Sequence, residues 1–101
     1  MPKTTVAKTK DVASGKAIAV DVNGKRIAVF NVDGKFYAID DECTHAGGPL
    51  SEGETEGHVV TCPWHGATFD VCNGAVLSDP ASDGVKSYQV TVEGEDIAVE
   101  A

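Results

Sequence analysis

Two short stretches, Cys43-Thr44-His45 and Cys62-Pro63-Trp64-His65, constrain this chain more than any other feature. Each joins one thiol to one imidazole, and sixteen residues separate His45 from Cys62. A lone Cys or His is most often a core residue, but two matched pairs point to donors that converge on one metal centre. A fold that contains them must bring two loop tips together. On chemistry alone, two thiolates and two neutral imidazoles suit a tetrahedral zinc site. Zinc fingers, however, group C-x₂₋₄-C with H-x₃₋₅-H, whereas each stretch here mixes one Cys with one His. Haem attachment would need C-x-x-C-H, which the sequence lacks. Ala46-Gly47-Gly48-Pro49 follows the first pair and Gly66-Ala67-Thr68-Phe69-Asp70 the second. Glycine beside a ligand lets backbone amides approach an anionic sulfur with no Cβ in the way.

Around these stretches the chain reads as short strands and tight turns. Residues 3–8 are expected to open with a strand whose one large apolar residue is Val6. Residues 16–22 alternate, with Ile18, Val20 and Val22 on one face, and Asn23-Gly24 then signals a two-residue hairpin. The return strand, 26–32, sets Ile27 and Val29 against Ala28, Phe30 and Val32. Asp33-Gly34 repeats the turn signal before 35–40, where Phe36, Tyr37 and Ile39 supply bulk. Residues 41–57 hold the first Cys/His pair and an acidic linker in which Leu50 is the one large apolar residue, so any helix there is short. Brief strands are expected at 58–61, 69–72 and 75–77, the last two flanking a third hairpin at Asn73-Gly74. An irregular connection with Pro80 follows, then 86–92 with Tyr88, Val90 and Val92 inward, a turn at Gly94, and a closing strand at 97–100. The expected fold is one all-β domain spanning residues 1–101.

Charge is informative in its distribution. The total is −8, yet the window between Phe36 and Val85 holds nine acids and no Lys or Arg, against seven acids and eight bases elsewhere. Such a face either aids solubility or steers basic partners. Nucleic acid is disfavoured, because phosphates need cations opposite them. No apolar run approaches the roughly 18 residues of a membrane span, and no apolar signal segment opens the chain. Three cysteines, two of them assigned as ligands, leave no disulfide framework, and a reducing cytoplasm is the expected setting. Cys72 reads as a half-buried bystander thiol and His58 as a structural or solvated residue without a companion ligand.

C-x-H plus C-x-x-H, with glycine after each, resembles the Rieske iron–sulfur family. The resemblance implies one [2Fe–2S] cluster per chain, with Cys43 and Cys62 on one iron and His45 and His65 on the other. It also implies an antiparallel β sandwich into which a small cluster-binding subdomain, about 42–82, is inserted. Pro80 occupies the place of the family's proline-bearing shielding loop, and Trp64 is expected to shield the cluster and pack beneath a partner.

Departures from the family pattern narrow the subtype. Respiratory members carry an extra Cys in each ligand loop, where this chain has Gly48 and Trp64, so that bridge cannot form. They also place Ser and Tyr hydroxyls where this chain has Ala67 and Phe69. Losing those hydrogen bonds disfavours the extra negative charge of the reduced cluster, which implies a potential of roughly −150 to −50 mV, low in the Rieske range. Oxygen activation at non-haem iron needs two further His and a carboxylate, but only His58 remains. There is no G-x-G-x-x-G loop for a nucleotide. The resemblance is therefore to the soluble ferredoxins of bacterial ring-hydroxylating dioxygenase systems: a monomeric one-electron carrier, not an enzyme. Its partners would be a flavoprotein reductase and a terminal oxygenase, docking near His45, His65 and the acidic face. A Rieske-type small subunit of an enzyme such as nitrite reductase is the alternative, and a zinc-stabilised interaction module the reading from another class.

Overall fold

The computed structural model describes residues 3–22, 24–41, 49–64, 66–78 and 84–100. Among these are ten strands: β1 (Lys3–Lys8), β2 (Ala17–Val22), β3 (Lys25–Val32), β4 (Lys35–Asp40), β5 (Glu54–Glu56), β6 (Val59–Thr61), β7 (Thr68–Asp70), β8 (Val76–Ser78), β9 (Ser87–Glu93) and β10 (Asp96–Glu100). Helical structure among the described residues is limited to 3₁₀ turns at Thr9–Asp11 and Leu50–Glu52. No helix there is long and apolar enough to cross a membrane.

The strands form two antiparallel sheets, one ordered β1-β10-β9-β4-β3-β2 and the other β5-β6-β7-β8. The second is threaded between β4 and β9. Strand β3 explains how both pack. Its side chains alternate between faces, and both faces are buried. Ile27 and Val29 join Val22, Ala38, Ile97 and Val99 in one core, so the long sheet closes over itself. Ala28 and Phe30 join Ile39, Leu50, Val60 and Phe69 in a second core, between the outer face of β3–β4 and the small sheet. Leu50 is fully buried there. Burial of one such side chain contributes about 2 kcal/mol, enough to anchor an otherwise polar connection.

The β3–β4 hairpin turns at Asp33 (φ 52°) and Gly34 (φ 89°), the conformation that an Asp-Gly pair favours. Asn23 lies outside the described residues, but β2 and β3 pair as that signal predicts. Three expectations need correction. Residues 54–56 form β5 instead of part of a linker, because Glu-Thr-Glu turns both acids to solvent on a polar edge strand. Val92, expected inward, is 44% exposed. Strand β4 pairs with β9 only at Ala38–Tyr88 and Ile39–Ser87, so the distal half of β9 runs beyond that cover. The Asn73-Gly74 hairpin joins β7 to β8 through a longer turn, in which Asp70 Oδ1 accepts the Cys72 N–H (2.9 Å) and Asn73 Oδ1 the Ala75 N–H (2.9 Å). Pro80 lies outside the described residues.

Candidate metal centre

Of the four expected ligands, Cys62 is described; Cys43, His45 and His65 lie outside the described residues. The chain leaves β6 at Thr61, opposite Thr68 of β7, and Cys62 begins the loop between them. The Cys62 N–H donates to the Ala67 carbonyl at 2.7 Å, and the Gly66 N–H donates back to the Cys62 carbonyl at 3.1 Å. Those bonds tie Cys62 to Gly66 and Ala67. Cys62 is free and only 2% exposed, packed with Leu50, Val60, Ala67 and Phe69. At the loop tip Trp64 is 59% exposed. Gly53 lies against the strand that leads in: a Cβ there would stand 2.0 Å from the Thr61 carbonyl oxygen.

Residues on either side of 42–48 are tied to one another. Asp41 is buried, its Oδ1 accepting the Ser51 N–H at 2.6 Å and its Oδ2 the Arg26 Nε–H at 2.7 Å. One residue earlier, Asp40 accepts the Tyr88 hydroxyl at 2.6 Å and the Lys86 N–H at 3.3 Å, tying β4 to β9 where the small sheet departs and the chain returns. Burial and the Asp40 bond push the Tyr88 hydroxyl up to about 12. Read from sequence, Asp40 and Asp41 are part of an acidic window; in the fold they are structural clamps. The signal for this is weak, an Asp pair at the end of an apolar strand. Among the described acids of that window, Glu52, Glu54 and Glu56 are exposed. Glu52 and Glu54 line an open cavity of about 450 Å³ with Thr61, Cys62, Pro63 and Gly66.

At the opposite end of the small sheet, His58 does have companions, against expectation. Its Nδ1 lies 3.3 Å from Asp70 Oδ1, and Cys72, exposed instead of half-buried, is grouped with them. Sequence separation hides this, because the antiparallel pairing of Val59 with Asp70 is what brings the three together. Partial burial of its sulfur pushes the Cys72 thiol up, while a hydrogen bond with Tyr37 pulls the other way; the same bond raises the Tyr37 hydroxyl.

Two packed antiparallel sheets with a buried, unpaired thiol at the root of a glycine-closed loop fit a domain that holds a metal centre through sulfur. Residues 3–89 match the Rieske [2Fe-2S] domain, and the chain belongs to that family. A domain of this kind carries one [2Fe–2S] cluster per chain. The ferredoxin component of the naphthalene 1,2-dioxygenase/salicylate 5-hydroxylase systems of a Ralstonia species is 42% identical over 83 residues, 82% of this chain and 80% of that protein. The ferredoxin of carbazole 1,9a-dioxygenase from Nocardioides aromaticivorans IC177 superposes with a TM-score of 0.94 at 32% identity, covering 98% of this chain and 97% of its own. A chain from a complex of reduced oxygenase and oxidised ferredoxin in carbazole 1,9a-dioxygenase has a TM-score of 0.91 at 35% identity, covering 96% and 91%. Likeness to a chain described as a nitrite reductase small subunit, at 24% identity, shows the fold alone. The described residues fit an iron–sulfur group, since Cys62 offers a sulfur shielded from water and free of any disulfide.

Proposed function

We propose that this chain is a one-electron carrier that takes electrons from an NAD(P)H-dependent flavoprotein reductase and delivers them to a terminal ring-hydroxylating oxygenase. In this reading Cys43 and Cys62 hold one iron of the cluster, His45 and His65 hold the other, and about 42–82 is the cluster-binding subdomain. When bound, the cluster supplies reversible one-electron chemistry. The protein positions it: the 2.7 Å bond from Cys62 N–H to Ala67 fixes the second loop, and the Asp41 clamp fixes both ends of the first. The apolar shell around Cys62 keeps water from the thiolate. Exposed Trp64 offers an apolar contact for a partner, and Glu52 and Glu54, which share a cavity with Cys62 and Pro63, favour a partner with basic residues.

The observation that carries this reading is the correspondence over 98% of this chain with the ferredoxin of carbazole 1,9a-dioxygenase. The test is transfer to an oxygenase. The chemically reduced protein, mixed anaerobically with a Rieske-type ring-hydroxylating oxygenase, should be reoxidised as the oxygenase is reduced, and Cys62→Ala protein should transfer nothing. Wild-type protein that stayed reduced in front of several such oxygenases would contradict the carrier role and favour a fixed subunit.

A further inference from the structure

His58 stands just before β6, Asp70 ends β7, and Cys72 lies in the turn that follows. The ligating nitrogen, oxygen and sulfur of these residues all lie within 4.8 Å of one another. The backbone holds that arrangement: the Val71 N–H donates to the His58 carbonyl at 2.8 Å, and the Cys72 N–H donates to Asp70 Oδ1 at 2.9 Å. The His58 Nδ1 to Asp70 Oδ1 separation is 3.3 Å. Around a tetrahedral ion with bonds of about 2.05 Å, nitrogen and oxygen ligands stand about 3.3 Å apart, so this edge is already set for a metal. A sulfur bonded at about 2.3 Å needs edges of about 3.5 Å, which rotation of the exposed Cys72 side chain can supply.

We propose that His58, Asp70 and Cys72 form a second metal site, distinct from the cluster ligands, that takes one zinc-class divalent ion with water in the fourth position. The donor set selects the ion. A thiolate and an imidazole favour zinc, cobalt or nickel over magnesium or calcium, which prefer oxygen alone. Tyr37, hydrogen-bonded to Cys72, supplies the outer partner that orients a metal-bound sulfur. Four steps of roughly 3.3 Å rise separate His58 from Cys62, so these two residues flank β6 at its opposite ends. An ion here would tie the start of β6 to the β7–β8 turn.

The plain alternative is a surface ion pair beside an idle thiol, and zinc titration of the cluster-loaded protein separates the two. Calorimetry with zinc chloride should give one zinc per chain with the visible spectrum of the cluster unchanged. His58→Gln and Cys72→Ser should each weaken that binding at least tenfold. In wild-type protein, saturating zinc should slow alkylation of Cys72 at least tenfold, a readout that needs no variant to fold. The proposal is overturned by any of three results. These are no saturable uptake with Cys72 unprotected, uptake unchanged in either variant, or uptake that bleaches the visible spectrum and so places zinc on the cluster's own ligands.

Discussion

The Oδ1 of Asp41 accepts the Ser51 N–H at 2.6 Å, so one buried carboxylate bridges the two ends of the stretch that carries Cys43 and His45. Its second oxygen is held by Arg26, 61% exposed, which lets the pair form without burying both charges. Hydrogen bonds to a charged group contribute about 1.5–3 kcal/mol each. Asp41→Ala should therefore destabilise the protein by about 2–4 kcal/mol. Asp41→Asn, which keeps an acceptor for Ser51, should cost less. Urea midpoints, with iron content per chain, check this. Equal midpoints for wild type and Asp41→Ala would show that the clamp contributes nothing.

Gly53 predicts a steric effect near Cys62. A methyl group there would overlap the Thr61 carbonyl at 2.0 Å, and that carbonyl belongs to the backbone of a paired strand. Gly53→Ala should force β5 and β6 apart, at a cost of about 2 kcal/mol or more. Thermal melting should show the loss, along with a changed visible spectrum if Cys62 shifts. An unchanged melting temperature would mean that the segment relaxes freely.

Acidic steering predicts a dependence on salt. Screening shortens from about 10 Å at 0.1 M to about 3 Å at 1 M, so exposed Glu52, Glu54 and Glu56 should attract a basic partner less well at high salt. Electron-transfer rates with reductase and oxygenase should fall across that range, and charge reversal at Glu52 and Glu54 should flatten the fall. Rates independent of salt with both partners would leave these acids a role in solubility alone.

Tyr88 predicts an alkaline limit to stability. The unfolded hydroxyl ionises near 10 and the folded one near 12, so its contribution is complete below pH 10 and is lost as pH rises to about 12. Across that window wild type should lose stability more steeply than Tyr88→Phe, measured as urea midpoint against pH. Parallel curves would deny the Tyr88–Asp40 bond its role.

Features encoded by neighbouring residues were legible in the sequence. Asp33-Gly34 announced its turn, and alternation along β3 separated Ile27 and Val29 from Ala28 and Phe30, the division that the two cores display. Leu50, the one large apolar residue of its segment, marked that any helix there is short, and a 3₁₀ turn of three residues begins at it. Features set by distant pairs were not legible. Asp41 looks like any surface acid until Ser51 and Arg26 arrive, and His58 looks solitary until β6 and β7 pair. Buried Cys62 is bonded to Ala67 and Gly66, and Gly66 takes the positive φ (80°) of a turn.

The central claim, that this chain holds a Rieske cluster tuned for carrier work, is tested most directly by a potentiometric titration of the purified protein. Ala67 and Phe69 are both fully buried beside Cys62 and bring no hydroxyl to the site. An apolar surround without those donors disfavours the extra charge of the reduced state. One electron per chain should enter at roughly −150 to −50 mV, with the potential rising in Ala67→Ser. No reducible centre, or a potential near −400 mV as in all-cysteine clusters, would contradict it.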